Sequence, residues 1–289
     1  MNLKDLIAEG TQTLSDQYPE REAREMVFAY LEHCIGTSRH THIIEPYYKV
    51  GEDDVRKIRE AFQRMKDGEP LQYVMKKAYF YGREFTVCPD VLIPRPETEI
   101  LCRDVIQACR GIEAPRILDL CTGSGCIAWT LALEIPGADV VGVDISDGAL
   151  AVARAQDFND EMSKTGAASP LFIKEDVLAY PSPTALSGTF DVIVSNPPYV
   201  RESEKALMRT NVLDHEPHLA LFVPDEDPLL FYRAVARWAM LLLKPGGIGM
   251  VEINEALAAD TEKVFECFTD VKTIRDLNDR DRFVVFMKK

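Results

Sequence analysis

Asn196-Pro197-Pro198-Tyr199 follows directly on the strand-like run Asp191-Val192-Ile193-Val194-Ser195, and its residue types suit one piece of chemistry. A planar amino group such as an amide NH2 is a poor nucleophile because its lone pair is delocalised, so a catalyst has to hold both hydrogens and aim the lone pair. The Asn196 side-chain oxygen can accept one hydrogen and the Pro197 carbonyl the other. Two prolines fix φ and stiffen the loop, while Tyr199 offers a ring face to a flat group. The same letters also fit a plain proline-rich turn after a strand. The segment upstream favours the chemical reading.

There, Arg116-Ile117-Leu118-Asp119-Leu120 reads as a short apolar strand that runs into Cys121-Thr122-Gly123-Ser124-Gly125 and then an apolar helix from Cys126. Gly123 and Gly125 let the backbone approach a ligand closely, and the first turn of the helix supplies unpaired N–H groups. The pattern G-x-G-x-x-A alone also fits a dinucleotide site. A second strand, Val140-Val141-Gly142-Val143-Asp144, ends in a carboxylate where a ribose diol would be bound. Both NAD and S-adenosyl-L-methionine carry that diol, so Asp144 does not choose between them. Asp119, a carboxylate beside the loop, suits a sulfonium and an ammonium better than a pyrophosphate, and S-adenosylmethionine is the expected cofactor.

The glycine loop, Asp144 and Asn196-Pro197-Pro198-Tyr199 together resemble a class I S-adenosylmethionine-dependent methyltransferase acting on a planar nitrogen. Further stretches narrow the likeness: Glu69-Pro70-Leu71-Gln72-Tyr73-Val74, Phe80-Tyr81-Gly82-Arg83-Glu84-Phe85, Leu92-Ile93-Pro94-Arg95-Pro96-Glu97-Thr98-Glu99, Glu216-Pro217-His218-Leu219-Ala220-Leu221, and Arg275-Asp276-Leu277-Asn278-Asp279-Arg280-Asp281-Arg282. The pattern is similar to the peptide chain release factor glutamine methyltransferases of the HemK type, over roughly residues 65 to 289. The resemblance implies release factors as protein substrate, methylated on the glutamine of a Gly-Gly-Gln loop. It also implies Asn196 and Pro197 as catalytic residues, and a substrate site of Asn196, Pro197, Pro198 and Tyr199. The implied cofactor site comprises Cys121, Thr122, Gly123, Ser124, Gly125, Asp144, Asp176, Val177 and Asn196, with no metal. Cys121 stands where the loop form D-L-G-x-G-x-G has a glycine, so a negative φ and a side chain lining the cofactor pocket are expected. The family can carry an aromatic residue where Val177 stands, so the adenine ring here would meet an aliphatic side chain.

These residues need a scaffold, and the hydrophobic pattern supplies one. From Arg116 onward, strands near 116–120, 139–144, 170–174, 190–195, 247–253, 270–275 and 282–287 alternate with helices near 125–134, 147–161, 227–243 and 255–267. Such alternation implies an α/β fold, a doubly wound, Rossmann-like, mostly parallel seven-stranded sheet. The glycine loop, Asp144, Asp176 and Asn196 all fall at strand carboxyl ends, where such folds bind ligands. The first seventy residues differ: stripes at Leu3, Leu6, Ile7 and Leu14, at Ala23, Met26, Val27, Tyr30 and Leu31, and at Val55, Ile58, Ala61, Phe62 and Met65 have helical period. We expect a helical domain at 1–75, which the resemblance implies docks the protein substrate, a β-hairpin linker at 76–93 and a cofactor-binding domain at 94–289. Near Pro96 a helix should open and run to about Arg110; the segment before it reads equally as a helix cap or as a rigid wall that presents Arg95 or Glu97 to the cofactor site. Residues 200–226 lack clean periodicity; they read as a lid forming the substrate groove, or as a disordered insertion.

Composition narrows the alternatives. At 289 residues and 46% hydrophobic, the chain can bury a sizeable core, and a formal charge of -14 argues against unaided binding to a phosphate backbone. That weakens the chief rival, an N6-adenine nucleic-acid methyltransferase, which would need a basic binding region and a way to flip the base. A nicotinamide oxidoreductase leaves Asn196-Pro197-Pro198-Tyr199 unexplained, and a noncatalytic binding protein leaves the loop, Asp144 and Asn196 without purpose. The charged N-terminus lacks a signal peptide's apolar core and no apolar run would span a bilayer, so no membrane partner and a cytoplasmic location are expected. Seven cysteines, an odd number with no C-x-x-C, read as reduced thiols, mostly buried.

Overall fold

A computed structural model of the chain describes residues 1–180 and 186–289. It divides into two compact units, Met1–Lys77 with Arg209–His215, and Ala78–Met208 with Glu216–Lys289. The smaller unit is helical. Its main helices, Leu3–Leu14, Glu20–Ile35 and Glu52–Lys66, are those the three apolar stripes predict, and the short helices Thr41–Ile44 and Leu71–Met75 were not read from the sequence. Leu6, Leu14, Val27, Ile58, Phe62 and Met65 are almost wholly buried in one cluster, so each helix owes its stability to the shared apolar face more than to its own propensity.

The larger unit opens with a hairpin, Lys77–Phe80 and Arg83–Thr86, turned at Tyr81 and Gly82 with φ of 50° and 75°. Phe80 and Phe85 reach into its core against Phe158 and Trp129. Seven strands follow: β1 Arg116–Leu120, β2 Asp139–Asp144, β3 Leu171–Lys174, β4 Phe190–Ser195, β5 Leu243–Glu252, β6 Thr269–Arg275 and β7 Asp281–Met287. They form one sheet in the order β6-β7-β5-β4-β1-β2-β3, in which only β7 runs antiparallel to its neighbours. This is the mostly parallel, seven-stranded sheet that the alternation of strands and helices predicts.

Side chains of the central strands alternate between two cores, as a period of two requires. Ile117, Val140, Val192 and Val194 pack with the Thr98–Ala108 and Cys126–Glu134 helices, whereas Leu118, Val141, Ile193 and Val251 pack with the Leu230–Leu242 helix. Both faces are covered, which is why the strands read as nearly continuous apolar runs.

One predicted helix is broken. Residues 147–161 form two helices, Asp147–Arg154 and Asn159–Thr165. Between them Gln156 is buried, accepting from Thr86 N and donating to the Thr86 and Ser124 carbonyls, and Phe158 wedges between Phe85 and Trp129. These contacts with the hairpin outweigh the local preference for a continuous helix. Residues 200–226 are also ordered, with short strands Val200–Arg201 and Phe222–Val223 paired in parallel at their base and helices between, so the disordered insertion is set aside.

Candidate active site

The carboxyl ends of β1 to β4 open onto a cavity of about 980 Å³, including its mouth. Cys121, Thr122, Gly123, Ser124, Asp144, Asp176, Val177, Asn196 and Pro198 line it, together with Asp90, Val91, Leu92, Pro94, Arg95 and Thr98 from the preceding segment. Gly125, Pro197, Tyr199 and Glu97 are not part of its wall. Topology explains the convergence. Four parallel strands end on one side of the sheet, so Cys121 and Asn196, 75 positions apart in sequence, meet there.

The turn after β1 is held from several sides. Thr122 N donates to the Val143 carbonyl at 2.9 Å, Gly125 N to the Thr122 carbonyl at 2.8 Å, and Gly125, with φ of 77°, caps the following helix. Cys121 contradicts the expected negative φ: it lies at 62°. The left-handed residue swings the chain off β1 sharply enough for Thr122 N to reach β2, and the hydrogen bonds so formed offset a cost of roughly 1–2 kcal/mol. Its side chain does line the cavity, and burial pushes its thiol well up. Of the seven cysteines only Cys102, Cys109 and Cys126 are buried; Cys34, Cys88 and Cys121 are half-buried and Cys267 is exposed, which corrects the expectation of mostly buried thiols. Cys267, for one, lies beyond the end of the Ala258–Val264 helix and faces solvent.

Asp119 is placed differently from its expected role. It is fully buried beneath the turn, accepts from Thr122 Oγ1 at 2.6 Å and has no share in the cavity wall. Burial raises its carboxyl to about 7, against the pull of the Thr122 hydroxyl and the Ala128 amide. Asp119 therefore organises the loop and does not face the cavity. Asp144 does face it: Oδ2 accepts from Gly123 N and Oδ1 from Ser146 N, each at 2.9 Å, leaving lone pairs on both oxygens at the cavity wall.

Asn196 follows β4 and reaches sideways to the first residue of the Thr98–Ala108 helix, its Nδ2 donating to Thr98 Oγ1 at 3.2 Å. Thr98 Oγ1 in turn donates to Glu252 Oε2 at 2.7 Å, and Tyr199 Oη donates to Glu252 Oε1 at 2.9 Å. Tyr199 thus spends its hydroxyl on the end of β5 and not on the cavity. Two residues to which sequence reasoning assigned no role stand out. Glu252 is 1% exposed and ends β5, the same strand-end position that singled out Asp144 and Asp176. Glu216 is 3% exposed, accepting from Arg95 Nη2 at 2.7 Å and from Ile93 N at 3.2 Å. It ties residues 216–221, of which Pro217, Leu219 and Ala220 line the cavity, to the Ile93-Pro94-Arg95 segment.

A family model described as "Methyltransferase small domain" matches residues 97–219, and one described as "PrmC N-terminal domain" matches residues 5–75. With the doubly wound sheet and its strand-end cavity, they define the class: a class I methyltransferase. A protein named release factor glutamine methyltransferase from Bacteroides thetaiotaomicron is 41% identical, covering 94% of this chain and 95% of its own. Another of that name from Flavobacterium psychrophilum is 35% identical, covering 98% of each. A solved structure of a release factor-specific protein-(glutamine-N5) methyltransferase from Alicyclobacillus acidocaldarius is 27% identical over 71% of this chain and 99% of that one, with a TM-score of 0.41. The chain belongs to the release factor glutamine methyltransferase family.

Proposed function

We propose that the protein transfers a methyl group from S-adenosyl-L-methionine to the side-chain amide nitrogen of the glutamine in the Gly-Gly-Gln loop of peptide chain release factors. The observation that carries this reading is the placement of Asn196 on the same cavity wall as Asp144 and the Thr122-Gly123-Ser124 turn. A holder for a planar amide and a holder for a ribosylated cofactor thus share one chamber.

The donor set fits that cofactor. Asp144 has two oriented oxygens for the ribose hydroxyls, the Cys121-to-Gly125 turn offers backbone to the amino-acid moiety, and Asp176 and Val177 at the end of β3 would border the adenine. Once bound, the cofactor supplies an electrophilic methyl carbon on a sulfonium. The chain's own work is positional. Asn196 Oδ1 accepts one amide hydrogen of the incoming glutamine, and the carbonyl of Pro197, between the two lining residues Asn196 and Pro198, accepts the other, which directs the nitrogen lone pair. The amide nitrogen acidifies as it is alkylated, so water can take the proton and no strong side-chain base is needed. Catalysis is then chiefly proximity and orientation. Release factors would dock on the helical unit and on residues 200–226, the latter as a lid over the substrate groove. No helix among the described residues is long and apolar enough to cross a membrane.

The test is mass spectrometry of a release factor after incubation with the protein and S-adenosylmethionine. Methylation on a single glutamine, abolished when that glutamine is replaced, is expected. Asn196→Ala should keep cofactor affinity near that of the parent while turnover falls on the order of a hundredfold, the scale of loss that misplaced reacting groups produce. Methylation of adenine in DNA with release factors untouched would overturn the proposal.

A further inference from the structure

A primary amide has two ends of nearly equal shape and opposite hydrogen-bonding character. If Asn196 receives the substrate amide, as proposed above, its Oδ1 must face the cavity; turned over, it would set NH2 against NH2. Rotation about the last side-chain bond of asparagine is soft, so something besides shape has to fix the choice.

We propose that Thr98 and Glu252 are positioning residues that determine which end of the Asn196 amide faces the substrate. The reasoning follows a single proton. Glu252, almost wholly buried at the end of β5, accepts from Tyr199 Oη at Oε1 and from Thr98 Oγ1 at Oε2. Burial raises the Glu252 carboxyl, and the Thr98 and Tyr199 hydroxyls, then the Arg282 charge, pull against it; with one hydroxyl donor on each oxygen the geometry is that of a carboxylate that only accepts. The one hydroxyl proton of Thr98 is therefore committed to Glu252. What Thr98 Oγ1 turns toward Asn196 is lone pair alone, and only Nδ2 can satisfy it; that contact is the observed one, at 3.2 Å. Nothing among the described residues donates to Asn196 Oδ1, which is left for the cavity that Asn196 lines. An apolar pair at positions 98 and 252 would fill the space without the desolvation cost of a buried carboxylate, but it would leave the substrate-facing orientation of the Asn196 amide without the hydrogen bond that holds it.

The experiment compares Thr98→Val, Thr98→Ser, Glu252→Gln and Asn196→Ala, with a bacterial release factor as substrate and S-adenosylmethionine affinity measured by calorimetry. Thr98→Val keeps the shape and removes the hydroxyl, so turnover should fall about tenfold, the scale of one lost hydrogen bond, with cofactor affinity unchanged. Thr98→Ser should restore most of it. Glu252→Gln can donate to Thr98 Oγ1, release the Thr98 proton toward Asn196 and favour the wrong end of the amide, so it should lose activity to a similar degree; it also decides the matter if Thr98→Val does not fold. Adding Thr98→Val to Asn196→Ala should cost nothing further, because the two act through one amide. Parental turnover in Thr98→Val, or losses that multiply in the double variant, would overturn the inference while Asn196→Ala stays impaired. Parental turnover in Asn196→Ala would instead remove the reading of Asn196 on which it rests.

Discussion

Asp144 is fixed from behind before any ligand arrives. The Gly123 and Ser146 amides each hold one of its oxygens at 2.9 Å, so the carboxylate is aimed at the cavity with little freedom left to lose on binding. Hydrogen bonds to a charged group are worth about 1.5–3 kcal/mol each, and Asp144→Ala is expected to weaken S-adenosylmethionine binding by at least tenfold. Calorimetry on a folded variant that returned the parental affinity would sink the assignment. Cys121 shows the limit of reasoning residue by residue. A non-glycine side chain predicts negative φ because the left-handed region is costly, yet the observed 62° stands, since the tertiary hydrogen bond from Thr122 N to Val143 outweighs a local penalty.

Among the elements, β5 and β7 carry a close approach that the sequence pattern does not announce. Gly249 pairs directly with Phe286, whose ring lies over it and stacks on Phe265 at a centroid separation of 4.1 Å. A Cβ at Gly249 would fall 2.0 Å from Phe286 Cζ, so Gly249→Ala must displace an aromatic cluster in the sheet's second core. Overpacking of this kind costs typically about 1–3 kcal/mol, and a urea midpoint shifted down accordingly is expected; an unshifted midpoint would show that the ring can move freely. The Arg95–Glu216 pair works on the same scale, joining two segments of cavity wall that are remote in sequence.

Across the whole molecule, charge and burial set a dependence on pH. Burial beneath the turn holds the Asp119 carboxyl at about 7, above its ordinary value of 3.8. A carboxyl raised on folding stabilises the folded state at low pH, and that contribution is lost as pH rises from about 4 through 7. Asp119→Asn, which cannot ionise, should therefore gain stability relative to the parent between about pH 5 and pH 8, by as much as a few kcal/mol. Thermal unfolding of both proteins at the two pH values measures this. A difference that is constant, or that moves the other way, would show that Asp119 does not titrate in that window.

The sequence by itself determined the strands and their order along the chain, the helical stripes of the smaller unit, and the gathering of the glycine turn, Asp144, Asp176 and Asn196 at strand ends on one edge of the sheet. These were legible because apolar periodicity reports burial directly and because strand-end residues in a parallel sheet share one edge. It did not determine the break at residues 155–158, where Gln156 serves a hairpin seventy residues earlier. Nor did it determine the burial of Asp119, the turning of Tyr199 away from the cavity, or the partners Glu252 and Glu216. Each of those depends on a contact between segments far apart in the chain. A hydrogen bond or ion pair leaves no period in the sequence, so only the folded structure could choose its two ends.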